Sequence, residues 1–246
     1  MSGSVTFEDH GDGTSEVVLR RPEKLNALNS PLVDALHDAW VAFEASDALV
    51  TVLHGDGRAF SVGADLTDNP LDLWRAVPGL GVEVSKPVIG ALHGHCIGGS
   101  WVLAMYTDLL VAAESTRFSY PEAKVGFTGG IAAGLVARMP HKHAMEFLLL
   151  GETMTAQHAY ETGMINRVVP NGEQLDVARG WARTLADSAP LVLATLKRFV
   201  NETLPSSPSE LAAQARRELW RVHHSEDRFE GEAAFAEKRD PRYQGR

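Results

Sequence analysis

The sequence predicts an α/β protein with parallel strand pairing and a helical C-terminal tail. Three observations carry this. Short apolar runs of strand length alternate with stretches of helical period, a pattern that favours a parallel sheet flanked by helices. After Ala189-Pro190 the strand signal stops and only helical period remains. The chain has 246 residues, 44% of them apolar, enough to bury the core of one large domain or of one domain with an extension.

The elements follow in order. Residues 5–8 and 16–20 read as strands around the turn Asp9-His10-Gly11-Asp12-Gly13. Ser30-Pro31 marks a helix start, with serine at the cap and proline in the first turn. That helix puts Leu32, Leu36, Trp40 and Phe43 on one face and ends near Ser46. Residues 49–53, 88–92 and 109–113 are short buried strands, and 101–106 is helical. Helical period covers 191–204, 210–223 and 232–238, with Pro205-Ser206-Ser207-Pro208 breaking the first from the second. These signals divide the chain into a core, 1–189, and a helical extension, 190–246. No clean internal repeat is visible.

Composition narrows the function. A net charge of −9, from 23 basic and 32 acidic residues, argues against nucleic acid and against an anionic membrane surface. The single cysteine, Cys96, permits no intrachain disulfide, which suits a reducing cytosol. The first ten residues carry no apolar leader, and no run of about 18 apolar residues exists, so a cytoplasmic protein without a membrane span is expected.

Two glycine loops dominate the chemistry. Gly63-Ala64-Asp65-Leu66 turns sharply after an apolar strand, and Ile97-Gly98-Gly99-Ser100 opens a helix. Such turns leave backbone N–H groups unpaired, and two of them converging would form an oxyanion hole. Upstream lies Arg21-Pro22-Glu23-Lys24-Leu25-Asn26-Ala27-Leu28-Asn29; downstream lies Phe118-Ser119-Tyr120-Pro121-Glu122-Ala123-Lys124-Val125-Gly126. With these four motifs in this order, the chain resembles the crotonase family, the enoyl-CoA hydratases and isomerases, from about residue 5 to 239.

The resemblance implies a crotonase-like spiral of ββα units. The α-helical C-terminal region would then build a homotrimer, or a dimer of trimers. It implies an acyl-CoA thioester as ligand, with CoA part of the substrate and no separate cofactor or metal. The N–H groups of Ala64 and Gly99 would hold the thioester oxyanion. Val62, Asp65, Leu66, Ile97, Gly98, Val102 and Pro121 would surround the substrate, with Asp65 bracing its own loop. Lys24, Leu25, Ala27, Ala64, Leu66, Phe235 and Lys238 occupy the positions that meet CoA, the last two often from a neighbouring subunit. The negative net charge does not forbid this, since a local basic cluster suffices for the CoA phosphates.

Hydratases of the family share proton transfer between two glutamates. One matches Glu122; the other position is Val102, which carries no proton. A lone glutamate suits a 1,3-proton shift, so double-bond isomerisation is the expected reaction. The alternatives are hydration or dehydration with a substitute acid, and a scaffold that binds acyl-CoA without turnover. Asp68, Asp72 and Glu83 are the candidate substitutes. They lie, with Trp74, in the segment 67–85, which is shorter than the cover of the acyl pocket in many relatives. His93-Gly94-His95-Cys96 lacks a second cluster at ligand spacing, while His141-Lys142-His143 and His223-His224 read as solvated faces. Ser61 is not in a nucleophile elbow.

Overall fold

The structure, a computed structural model, describes residues 5–246. The absence of an apolar leader was read partly on residues 1–4, which lie outside the described residues. The chain begins with β1 (Val5–Asp9), β2 (Thr14–Leu19), α1 (Ser30–Ala45) and β3 (Val50–Gly55). Then come two successive ββα units. They are β4 (Val88–Leu92), β5 (His95–Ile97) and α2 (Gly99–Met105), followed by β6 (Leu109–Ala113), β7 (Arg117–Ser119) and α3 (Glu122–Val125). After them come α4 (His141–Leu150), β8 (Met154–Thr155), α5 (Ala156–Glu161), β9 (Arg167–Val169) and α6 (Gln174–Ala186). Three helices end the chain: α7 (Pro190–Thr203), α8 (Pro208–His223) and α9 (Glu226–Glu237).

The strands form two sheets. The larger has the order β1-β2-β3-β4-β6-β9 and is parallel except for β1, which pairs antiparallel with β2. The smaller has the order β5-β7-β8, with β5 parallel to β7. Each ββα unit places one strand in each sheet, and the units stack because β4 pairs with β6 and β5 with β7. That is the spiral. It leaves no trace as a sequence repeat because β5 and β7 are three residues long, too short to show a period.

Both faces of the large sheet are covered, which is why its strands read as continuous apolar runs. On one face, Trp40 and Phe43 of α1 are fully buried, and the Trp40 indole N–H donates to the Ala76 carbonyl at 2.7 Å. On the other, Ala178 and Ala182 of α6 pack against Val50, Val52, Ile89 and Val111. Beneath α2, Trp101 meets Phe118 and Phe147 edge-on at 5.6 and 5.8 Å.

Several boundaries shift by one or two residues from expectation, and three helix starts are instructive. Asn29 caps α1, its side chain accepting from the Leu32 N–H at 3.2 Å, so Ser30 is the first helical residue. Helix α2 begins at Gly99, two residues early. Helix α9 begins at Glu226, capped by the Ser225 hydroxyl. The tail is docked rather than detached. On α8, the Glu210 carboxylate is buried and accepts from Tyr106 at 2.5 Å, with Arg138 at 3.5 Å. By contrast, α7 buries no residue.

One ionic contact ties α6 to the sheet. Glu16 on β2 is buried and accepts from Arg179 at 2.7 and 3.1 Å, with His54 at 2.9 Å and His10 at 3.5 Å. Burial opposes the charge, but the bonds from His54 and Arg179 outweigh it and hold the carboxyl far below its ordinary value. A depressed carboxyl stabilises the fold above its unfolded pKa, about 4.5, and loses that contribution as pH falls below it. Glu16→Gln should therefore lower unfolding free energy by about 1.5–3 kcal/mol at pH 7, the range for hydrogen bonds to a charged group. Denaturant curves of the two proteins should converge as pH falls below about 4.5. Parallel pH dependences would contradict the assignment.

Candidate active site

The two glycine loops are locked to each other. Gly63 adopts a φ of +86°, and a β-carbon there would lie 2.4 Å from the Ile97 carbonyl oxygen, so no other residue fits. Ser100 clamps the pair: its hydroxyl accepts from the Ile97 N–H at 2.8 Å and donates to the Ser61 carbonyl at 2.9 Å. Ser61 in turn donates to the Asn26 carbonyl at 2.7 Å. Gly98, at φ +56°, donates to Ser119 at 2.9 Å, which seats the loop on β7.

This packing brings two donors together. A β-carbon on Gly99 would stand 3.9 Å from the Ala64 nitrogen. Among the described residues, neither the Ala64 nor the Gly99 N–H has a hydrogen-bond acceptor. Gly99 is the first residue of α2, so its N–H also sits at the positive end of the helix dipole.

The donors open into a cavity of about 330 Å³. Of the residues expected to meet substrate, it is lined by Val62, Ala64, Leu66, Ile97, Gly98, Gly99, Val102, Pro121 and Glu122. Glu122 starts α3 and lies over the second loop; a β-carbon on Gly98 would come within 2.6 Å of its Oε1. Its Oε2 is buried with no hydrogen-bond partner, and burial pushes the carboxyl up to about 7. Val102 is 4% exposed, one turn into α2, and faces the same cavity. Among the described residues Glu122 is the only carboxylate in the lining.

The substitute-acid expectation is corrected here. Asp68 accepts from the Ser30 hydroxyl at 2.8 Å, Asp72 pairs with Arg75 at 3.1 Å, and the Glu83 side chain is 87% exposed. None of the three lines the cavity. Trp74 does, from the same segment.

Six expected substrate contacts also fall outside it. Asp65 faces Arg21 at 2.7 Å; bonds from Thr67 and then Arg21 hold its carboxyl far below the ordinary range. Lys24 is exposed and Leu25 takes a left-handed φ of +50° in the neighbouring turn. Ala27 is buried, its carbonyl accepting from Arg21 at 2.9 Å. Phe235 is 90% exposed on α9, and Lys238 ends that helix.

Sequence reasoning missed other positions. Asn26 is fully buried at φ +54°; it accepts from the Arg21 N–H at 2.8 Å and donates to the Asp56 and Ala59 carbonyls at 2.9 and 3.0 Å. An asparagine in a motif otherwise made of turn residues was the available signal. Asn69, Ser209 and Arg216 also line the cavity, the last two from α8. No local signal ties a tail helix to a loop so distant in sequence.

The remaining clusters lie elsewhere. Cys96 is fully buried and burial pushes its thiol up, so it is no nucleophile. The Nδ1 of His143, on a face expected to be solvated, is buried without a partner; with Glu146 and His158 it brings three ligand atoms within 4.8 Å of one another, none of them in the cavity lining.

Comparison with known proteins places the chain in a family. The family model described as enoyl-CoA hydratase/isomerase matches residues 9–246. A carnitinyl-CoA dehydratase of Salmonella arizonae is 36% identical over 263 residues, covering 100% of both chains. A protein named probable enoyl-CoA hydratase, of Mycobacterium bovis, is 34% identical over 239 residues, covering 92% of this chain and 93% of its own. The crystal structure of an enoyl-CoA hydratase from Mycobacterium tuberculosis superposes with a TM-score of 0.75 at 32% identity, covering 100% of each chain. The fold is therefore a shared one, and the chain belongs to the enoyl-CoA hydratase/isomerase family, the crotonases.

Proposed function

We propose that the protein catalyses reversible hydration and dehydration of a CoA thioester, with Glu122 as the single acid and base. One observation carries this: an unpartnered carboxyl poised near neutrality opposite two free N–H donors. The names of the similar proteins, hydratase and dehydratase, favour this reaction over isomerisation.

The steps follow from the geometry. In dehydration of a 3-hydroxyacyl thioester, the Glu122 carboxylate takes the α-proton. The electron pair moves onto the thioester oxygen, where the Ala64 and Gly99 N–H groups hold the negative charge. The C–O bond to the β-hydroxyl then breaks, and the hydroxyl leaves as water with the proton Glu122 had taken. Hydration is the reverse. Losing one such donor costs roughly 3–4 kcal/mol in other enzymes. The apolar walls, among them Leu73, Val102 and Phe127, exclude bulk water and keep the donors effective.

A second reading keeps its own support. Val102 leaves no second carboxylate to hold a water, and Glu122 alone can carry a proton between two carbons. That chemistry is isomerisation of a 3-enoyl thioester. Both reactions share one enolate, and substrate choice separates them.

Lys24, Leu25 and Ala27, beside the first loop, are assigned to the CoA portion. Phe235 and Lys238 are assigned to CoA of a neighbouring subunit, since α9 turns Phe235 outward. The assembly we propose is a homotrimer or a dimer of trimers. Leu191, Leu196, Phe199, Leu219 and Phe229 are exposed on the tail helices, apolar side chains of the kind that an interface between subunits covers.

Glu122→Gln should lower hydration of a 2-enoyl-CoA by at least ~10²-fold, the lower end of general acid–base catalysis. Loss of absorbance of the enoyl thioester reports it, and a 3-enoyl-CoA run alongside reports isomerisation. Hydration that persists in Glu122→Gln would remove this residue from the mechanism.

The pH profile follows from the raised carboxyl. The first step needs Glu122 ionised, so kcat/KM should rise with pH and level off above about 7. An acid limb near 4.5, the ordinary glutamate value, would place the reacting base elsewhere.

Light scattering of the full-length chain should give three or six times the 26.7 kDa protomer mass. A monomer would contradict the assembly.

A further inference from the structure

The cavity holds one cation that nothing balances. Helix α8 carries Arg216, Arg217 and Arg221. Arg217 lies 3.5 Å from Glu218 and 4.0 Å from Glu83, and Arg221 lies 3.3 Å from Glu218. Arg216 has no ion pair and no hydrogen bond among the described residues. Its helical neighbours three and four positions away are Ala212, Ala213, Leu219 and Trp220, so no partner on its own face is available. Yet it lines the acyl cavity, whose surroundings are otherwise almost wholly apolar.

Asn69 is the second polar group there without a partner. It lines the same cavity from the short segment after the first loop, and its Oδ1 is buried and unbonded. The five N–H donors of the guanidinium match a carboxylate; the unbonded Oδ1 of Asn69 is an acceptor, and its amide adds two donors only with its terminus turned to present the nitrogen. The Glu122 carboxyl does not serve as the counterion. No ion pair joins it to Arg216, and burial, opposed only by a bond from its own backbone N–H, sets its protonation. Arg216 therefore belongs to a part of the cavity away from the enolate.

Position separates this group from the CoA portion. Of the residues expected to meet CoA, Lys24, Leu25, Ala27, Phe235 and Lys238 do not line the cavity, while Ala64 and Leu66 line it from the first loop rather than from α8. Arg216 reaches it from α8, which packs against residues 73–76 and 131–137. On the reading proposed here, a cation on that wall meets the far end of the acyl chain.

We infer that the acyl group carries a terminal carboxylate, bound by Arg216 with Asn69. The inference rests on the cavity being the acyl site, as the proposed function holds. It deepens that function from an unspecified enoyl thioester to the thioester of a dicarboxylic acid. A neutral chain leaves Arg216 idle at an exposed rim, and a quaternary ammonium is repelled by it.

Binding of saturated thioesters tests this without turnover. Isothermal titration of the full-length protein would compare butyryl-CoA, glutaryl-CoA and 4-(trimethylammonio)butyryl-CoA. Glutaryl-CoA should bind roughly tenfold tighter than butyryl-CoA, equivalent to about 1.4 kcal/mol, and the cationic thioester more weakly than either. Arg216→Met should erase the preference by weakening glutaryl-CoA far more than butyryl-CoA, and Arg216→Lys should restore part of it. Arg216 is exposed on α8, and circular dichroism checks that the variants fold. Equal weakening of all three thioesters in Arg216→Met, absent with S-glutaryl-pantetheine, would show a cation serving the CoA phosphates and would overturn the inference. Equal affinity of wild type for butyryl and glutaryl thioesters would also overturn it. These outcomes are independent of whether any enoyl thioester is hydrated, so failure of the reaction assignment reads out separately.

Discussion

The site depends on how closely two loops approach. Gly63 lies against the Ile97 carbonyl at a separation that no side chain tolerates, and Ser100 bonds across the gap to both strands of the contact. That contact sets the spacing of the Ala64 and Gly99 N–H groups. Everything else supports it. Asn26 ties residues 21, 56 and 59 together and its carbonyl accepts from Ser61 just ahead of the first loop, and the Gly98 N–H anchors the second to β7. The ββα spiral exists, in functional terms, to deliver those two loops from successive sheet crossings to one place. Preorganised donors of this kind cost no reorganisation when charge develops.

Glu122 opposes these donors at the expense of stability. A buried carboxyl with an unpartnered oxygen favours its neutral form, and the fold tolerates it because α3 and Pro121 fix its backbone. Glu16 shows the opposite solution within the same chain. It is more deeply buried than Glu122 but fully bonded, and its charge is stabilised rather than suppressed. One carboxylate holds helix to sheet; the other, under the proposed function, exchanges a proton with substrate. The contrast marks Glu122 as a reactive group more firmly than its position in a motif does.

Much of this was legible in the residues. The buried strands of the large sheet appeared as apolar runs because both of their faces are covered, and α1 appeared through the spacing of Leu32, Leu36, Trp40 and Phe43. Glycine at 63 and 98 pointed to the loops because only glycine accepts those backbone angles. The small sheet was not legible, since strands of two and three residues carry no period. Nor was the helix α8 wall, because Ser209 and Arg216 reach the cavity through tertiary packing across more than a hundred residues of chain. The segment 67–85 offered acids as substitutes for the missing glutamate; hydrogen bonds to Ser30 and Arg75 turn two of them elsewhere, and solvent takes the third.

The central claim is that two backbone donors and one carboxyl generate a thioester enolate, whatever follows it. A saturated acyl-CoA isolates that step, because it has no double bond to hydrate or move and no hydroxyl to lose. Incubated with the protein in deuterium oxide and followed by proton NMR, its α-position should take up deuterium, at a rate that rises through pH 7 as Glu122 ionises. Retention of both α-protons over many hours at pH 8, with the thioester shown to be bound, would contradict the account.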